Sequence, residues 1–131
     1  MSLSNNESGL NEILNELISL ESRIDRGEGS SEDLEKALSL GASYYQEKTA
    51  QEGAKEDNRT VIGLSRESLK YNRALQTGFQ GRLQFCGEKI ASKVEAATSM
   101  DDKDTKVAER YRMQAQNWAK VMASYQPTDI K

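Results

Sequence analysis

The sequence predicts an all-α protein, a small and possibly elongated bundle of about four helices with one long central helix. Three observations lead there. Apolar residues recur at steps of three and four through most of the chain, the spacing of one face of a 3.6-residue helix rather than the alternation of a strand. The only proline is Pro127, so no ring or missing N–H interrupts a helix before the C-terminal end. Clusters of Gly, Ser and Asp near 27–31 and 98–104 supply helix stop and start signals.

One all-helical domain over residues 1–131 is expected. Residues 1–8 are rich in Ser and Asn and read as a flexible arm, with Ser4, Glu7 or Ser8 available to cap the first helix. That helix spans about 10–26. Leu10, Ile13, Leu17, Leu20 and Ile24 step by three, four, three and four, Leu14 and Ile18 widen the stripe, and Glu12, Glu16 and Glu21 lie outside it. Gly27-Glu28-Gly29-Ser30-Ser31 then ends one helix and begins another, with Ser30 and Asp33 spaced as a capping box.

The second helix spans about 32–52, with Leu34, Ala37, Leu38, Gly41, Tyr44 and Tyr45 as its inner face. Beyond Lys48 alanine is the only apolar side chain up to Asn58, which predicts a frayed end or a loop. The central helix spans about 60–97, roughly 57 Å for some 38 residues at 1.5 Å each. From Leu75 its stripe runs through Phe79, Leu83, Cys86, Ile90 and Val94. Gly63, Gly78, Gly81 and Gly87 lie within it, each costing about 0.8–1 kcal/mol relative to alanine in a helix interior. The unbroken period favours a continuous helix. The alternative ends one helix at Gln76-Thr77-Gly78 and begins another near Phe79. A turn at Thr98–Asp104, with Ser99 and Asp102 as a cap, precedes a last helix over about 102–125. Its stripe is Val107, Tyr111, Ala115, Trp118, Met122 and Tyr125.

Composition narrows function by exclusion. The net charge is −3 and the pI about 5.1, which argues against a general nucleic-acid binder. With no histidine and one cysteine, Cys86, an internal disulfide and a Cys/His zinc site are impossible. Cys86 lies on the apolar stripe and is expected to be a buried thiol. Histidine-based triads and Glu-x-x-His di-metal sites are likewise absent. Asp101, Asp102 and Asp104 lack the spacing of a calcium loop, and Gly78–Gly81 lacks the Lys-Ser/Thr of a phosphate loop. No catalytic residue, metal or cofactor is expected. No apolar run approaches the ~20 residues that cross a bilayer, and no secretory leader is visible, so a cytoplasmic protein is expected.

Two counts point toward partners. Leu, Ile, Val and Phe number 24 of 131, about 18%, below the ~20% that accompanies a full globular core. Thin helices completed by a second copy or a partner protein would account for it. Residues 1–58 hold 13 acidic and 5 basic side chains, a net of −8, and residues 59–131 hold 8 and 13, a net of +5. Either the acidic front packs beside the basic third helix within one chain, or the basic row meets an acidic partner. The expected function is therefore non-enzymatic protein–protein interaction by helix packing and self-association, in an assembly, chaperone-like, adaptor or inhibitor role. The expected partner-binding residues are Arg66, Lys70, Arg73, Arg82, Lys89, Tyr111, Trp118 and Tyr125. Nucleic-acid binding by the basic face of 59–93, with Tyr71, Phe79 and Phe85 stacking on bases, is the alternative.

Overall fold

The computed structural model describes the backbone of residues 3–53 and 58–128 and the side chains of residues 9–52 and 59–128. Among the described residues there are five helices and no strand: α1 (Leu3–Asp25), α2 (Ser31–Gly53), α3 (Asn58–Gln76), α4 (Gly78–Met100) and α5 (Thr105–Ser124). They pack as a bundle. The main pairings are α1 with α2, α2 with α3, and α4 with α5, while α3 also folds against α4 and α1 against α5. No helix among the described residues is long and apolar enough to cross a membrane.

Helix α1 begins at Leu3, so its backbone is already helical where a flexible arm is expected. The caps expected from Ser4, Glu7 and Ser8 lie outside the described side chains. Leu10, Leu17, Leu20 and Ile24 are buried. Ile18 is 51% exposed, so the stripe is narrower than its apolar residues suggest. Gly27 adopts φ +81° and closes α1 with a pair of bonds, its own N–H to Ile24 O (3.0 Å) and that of Glu28 to Arg23 O (2.8 Å). This is a Schellman ending, which needs a residue that enters the left-handed region freely. Half of the expected capping box follows: the Ser30 N–H donates to the Asp33 carboxylate at 2.9 Å.

The single long central helix is not present. It breaks at Thr77, where Gly78 takes φ +62°, and α4 folds back along α3. The reason lies in Gly81, whose missing side chain lets α4 start directly against the Ala74 backbone and Thr77. Periodicity runs across the break because both helices bury a face, so it cannot distinguish one rod from two. The inner face of α4 also differs. Gly81, Arg82, Phe85, Cys86 and Ala97 are buried, whereas Phe79, Leu83 and Ile90 are half-buried and Val94 is exposed. The helix is rotated toward its basic residues. At the next turn α4 runs to Met100, and Asp104 rather than Ser99 caps α5, accepting from Lys106 N (3.1 Å) and Val107 N (3.2 Å).

The core explains how few Leu, Ile, Val and Phe suffice. Ala37, Ala42, Ala74, Ala97, Ala108 and Ala115 are buried and let helices approach closely. Between them runs a chain of rings: Tyr44–Tyr45 (4.9 Å between centroids), Tyr45–Tyr71 (5.5 Å), Tyr71–Phe85 (5.2 Å) and Phe85–Trp118 (6.3 Å). These join α2, α3, α4 and α5, and each ring buries more surface than an aliphatic side chain. Tyr71 lies flat on Gly41 of α2, where an added Cβ would enter the ring. Gly41→Ala should therefore destabilise by about 1–3 kcal/mol through overpacking. Gly63→Ala, at an exposed position with nothing within 4 Å, should stabilise by roughly 0.5–1 kcal/mol. Urea denaturation of the two variants checks this; equal effects would contradict the packing of α3 on α2.

Candidate interaction surface

The charge asymmetry of the two halves is partly cancelled inside the fold. Arg82 on α4 is 6% exposed and meets Glu35 of α2 side-on, Nε to Oε2 at 3.0 Å and Nη2 to Oε1 at 2.7 Å. Its remaining Nη1 donates to Ala74 O (2.7 Å) and approaches Leu75 O (3.2 Å) and Gly78 O (3.4 Å). Arg82 thus satisfies carbonyls that the end of α3 leaves without helical partners. A planar guanidinium supplies donors in both directions; a lysine cannot. The Tyr125 hydroxyl donates to the same carboxylate at 2.6 Å, tying the end of α5 to α2.

Two further pairs repeat the arrangement between α1 and α4. Lys89 Nζ lies 3.1 Å from Glu21, which also accepts from the Tyr71 hydroxyl at 3.0 Å. The ammonium sits 5.6 Å from the ring centres of both Phe85 and Trp118. Lys93 Nζ lies 3.5 Å from Asp25 and 5.9 Å from the Tyr111 ring centre. Asp25 also accepts the Trp118 indole N–H at 2.6 Å, and its backbone carbonyl accepts from Asn117 at 2.7 Å.

Of the expected partner-binding residues, Arg82, Trp118 (1% exposed) and Tyr125 (7% exposed) lie in the interior. Lys89 and Tyr111 are half-buried within intramolecular pairs. The stripe of α5 faces inward because Trp118 has an indole partner there. Tyr71 and Phe85 are buried too, so the rings expected to stack on bases are not presented. Cys86 is fully buried, and burial, followed by the Glu35 charge, pushes its thiol up to about 12; it holds no reactive thiolate at neutral pH.

What remains outside is the outward face of α3. Arg59, Ile62, Arg66, Leu69 and Arg73 follow steps of three, four, three and four, and all five are exposed, Ile62 at 53% and Leu69 at 55%. Lys70 flanks this row, 3.1 Å from Glu67. The row itself contains no acid, and among the described residues no carboxylate forms an ion pair with Arg59, Arg66 or Arg73. Arg66, Lys70 and Arg73 thus stand together on a surface. Ile62 and Leu69 join them, alternating with the arginines at heptad-like spacing. Beside them a groove of about 370 Å³ between α2 and α3 is lined by uncharged Gln46, Thr49, Ser65, Ser68, Asn72 and Gln76 with Leu69. Comparison with known proteins supplies no counterpart: no family model, curated protein or solved structure matches the chain.

The Glu35 site has a signature in pH. Burial alone would raise the Glu35 pKa, but hydrogen bonds from Arg82 and Tyr125 and the Arg82 charge together hold it below its ordinary 4.5. A carboxyl lowered on folding adds stability that is complete above the unfolded value and is lost as pH falls through the folded one. Stability should therefore decline below about pH 4.5, and Glu35→Gln should be less stable at neutral pH with a flatter acid limb. Urea titrations from neutral pH downward test this; parallel curves for the two proteins would contradict it.

Proposed function

We propose that the protein is a non-enzymatic protein–protein interaction module that docks helices through the outward face of α3. The observation that carries this reading is the solvent-facing row Arg59, Ile62, Arg66, Leu69, Arg73. An isolated exposed leucine needs no explanation, but two large apolar side chains set between cations at seam spacing do. Such a row suits a partner helix that covers Ile62 and Leu69 and brings carboxylates to the arginines. The role would be that of an assembly or adaptor protein, with affinity drawn from the apolar centre and orientation from the charged rim.

The same cations would attract phosphates, which keeps nucleic acid as the second reading. Two facts favour protein. The chain as a whole carries −3, which opposes steering toward a polyanion. Tyr71 and Phe85, the rings that would stack on bases, lie in the core.

The test uses the purified protein tethered through its C-terminus as bait in a cell extract, beside the exposed-site variant Leu69→Asp. Partner proteins retained by the wild type through α3 should be lost by the variant while circular dichroism stays unchanged. Identical retained sets, or retention consisting of nucleic acid, would overturn the reading.

A further inference from the structure

We infer that the occupant of the α3 face is the acidic α1–α2 face of a second copy of the chain, in a head-to-tail contact. This rests on the reading of α3 as a docking face and adds the identity of what docks. Charge complementarity carries it. Inside each chain the carboxylates of α1 and α2 already pair with cations of α4, as Glu35 with Arg82, Glu21 with Lys89 and Asp25 with Lys93. Of the charges that remain exposed on these helices, Arg59, Arg66 and Arg73 stand on α3, and Glu12, Glu16 and Glu32 stand on α1 and α2, where they outnumber the exposed Lys36 beside them.

The acidic side also carries a shallow, open depression of about 420 Å³ between α1 and α2, lined by Glu16, Glu35, Lys36, Ser39 and Leu40. Leu40 offers an apolar contact for Leu69 or Ile62, and Glu16, with Glu12 one turn earlier on the same exposed side of α1, offers carboxylates for Arg66 and Arg73. The two faces are different surfaces, so the contact is heterologous, and each chain keeps one unused face of each kind unless the assembly closes into a ring. An α3–α3 contact would instead set arginine against arginine. A membrane would receive only Ile62 and Leu69, two side chains on a chain of net negative charge, which is weak anchoring.

Two double variants at exposed positions test it by sedimentation velocity at low salt: Ile62→Ser with Leu69→Ser, and Glu12→Lys with Glu16→Lys. The wild type should grow in mass with concentration, and should do so less at roughly 1 M salt, where the Debye length falls to about 3 Å. Each double variant alone should remain at the mass of one chain. Mixed in equal amounts they should form a species of twice the chain mass and nothing larger, because one intact α3 face meets one intact α1–α2 face. A wild type that stays monomeric overturns this inference, even if Leu69-dependent capture of another protein preserves the docking role of α3. Association that survives Glu12→Lys with Glu16→Lys overturns the acidic face. Binding of a DNA duplex or of anionic vesicles by a chain that does not self-associate overturns the second copy as occupant.

Discussion

The Glu35–Arg82 pair is the contact on which the arrangement of four helices depends. One guanidinium holds the carboxylate of α2, caps the end of α3 and belongs to α4, while Tyr125 brings α5 to the same carboxylate. A buried ion pair does not stabilise merely by existing, since removing both charges from water costs about as much as their attraction returns. Here the carboxylate keeps a partly wet face, 39% of its side chain, and the guanidinium is 7% exposed. Its donors are met by carbonyls that would otherwise be orphaned at the break. The pair therefore fixes geometry: it makes the reversal at Thr77–Gly78 compatible with burial.

That pair also explains which parts of the fold the sequence reveals. Helix class, the Gly27 ending and the Ser30–Asp33 bond are local, written in adjacent residues, and could be read directly. The break at Thr77 could be read only as an alternative to a continuous helix, because Glu35, the partner that rewards it, is 47 positions from Arg82. The same holds for α4, whose apolar residues suggest one facing while Arg82, Lys89 and Lys93 turn it toward the acids of α1 and α2. Counting aliphatic residues alone undervalued a core made of alanines and stacked rings. Trp118 and Tyr125 resemble interface anchors by composition, but their polar ends find Asp25 and Glu35 inside the chain.

The surface follows from the same accounting of charge. Once α4 has taken its partners from the front helices, the cations of α3 and the remaining glutamates of α1 and α2 are left exposed, alongside the mixed charges of α5. The candidate site is thus legible only after the interior pairs are known. Arg66, Lys70 and Arg73 could be named from sequence, but Ile62 and Leu69 could not be told from core residues until α3 and α4 were seen as separate helices. A long unbroken rod would have turned these positions differently relative to the bundle.

Glu35 and Arg82 act as a unit that sets the fold. A double-mutant cycle with Glu35→Gln, Arg82→Met and the combination, followed by urea denaturation at neutral pH, measures their coupling directly. The double variant should lose less than the two single losses added, by about 2–3 kcal/mol, the upper part of the range for residues sharing one network. Additive losses, with coupling below about 0.5 kcal/mol, would contradict it.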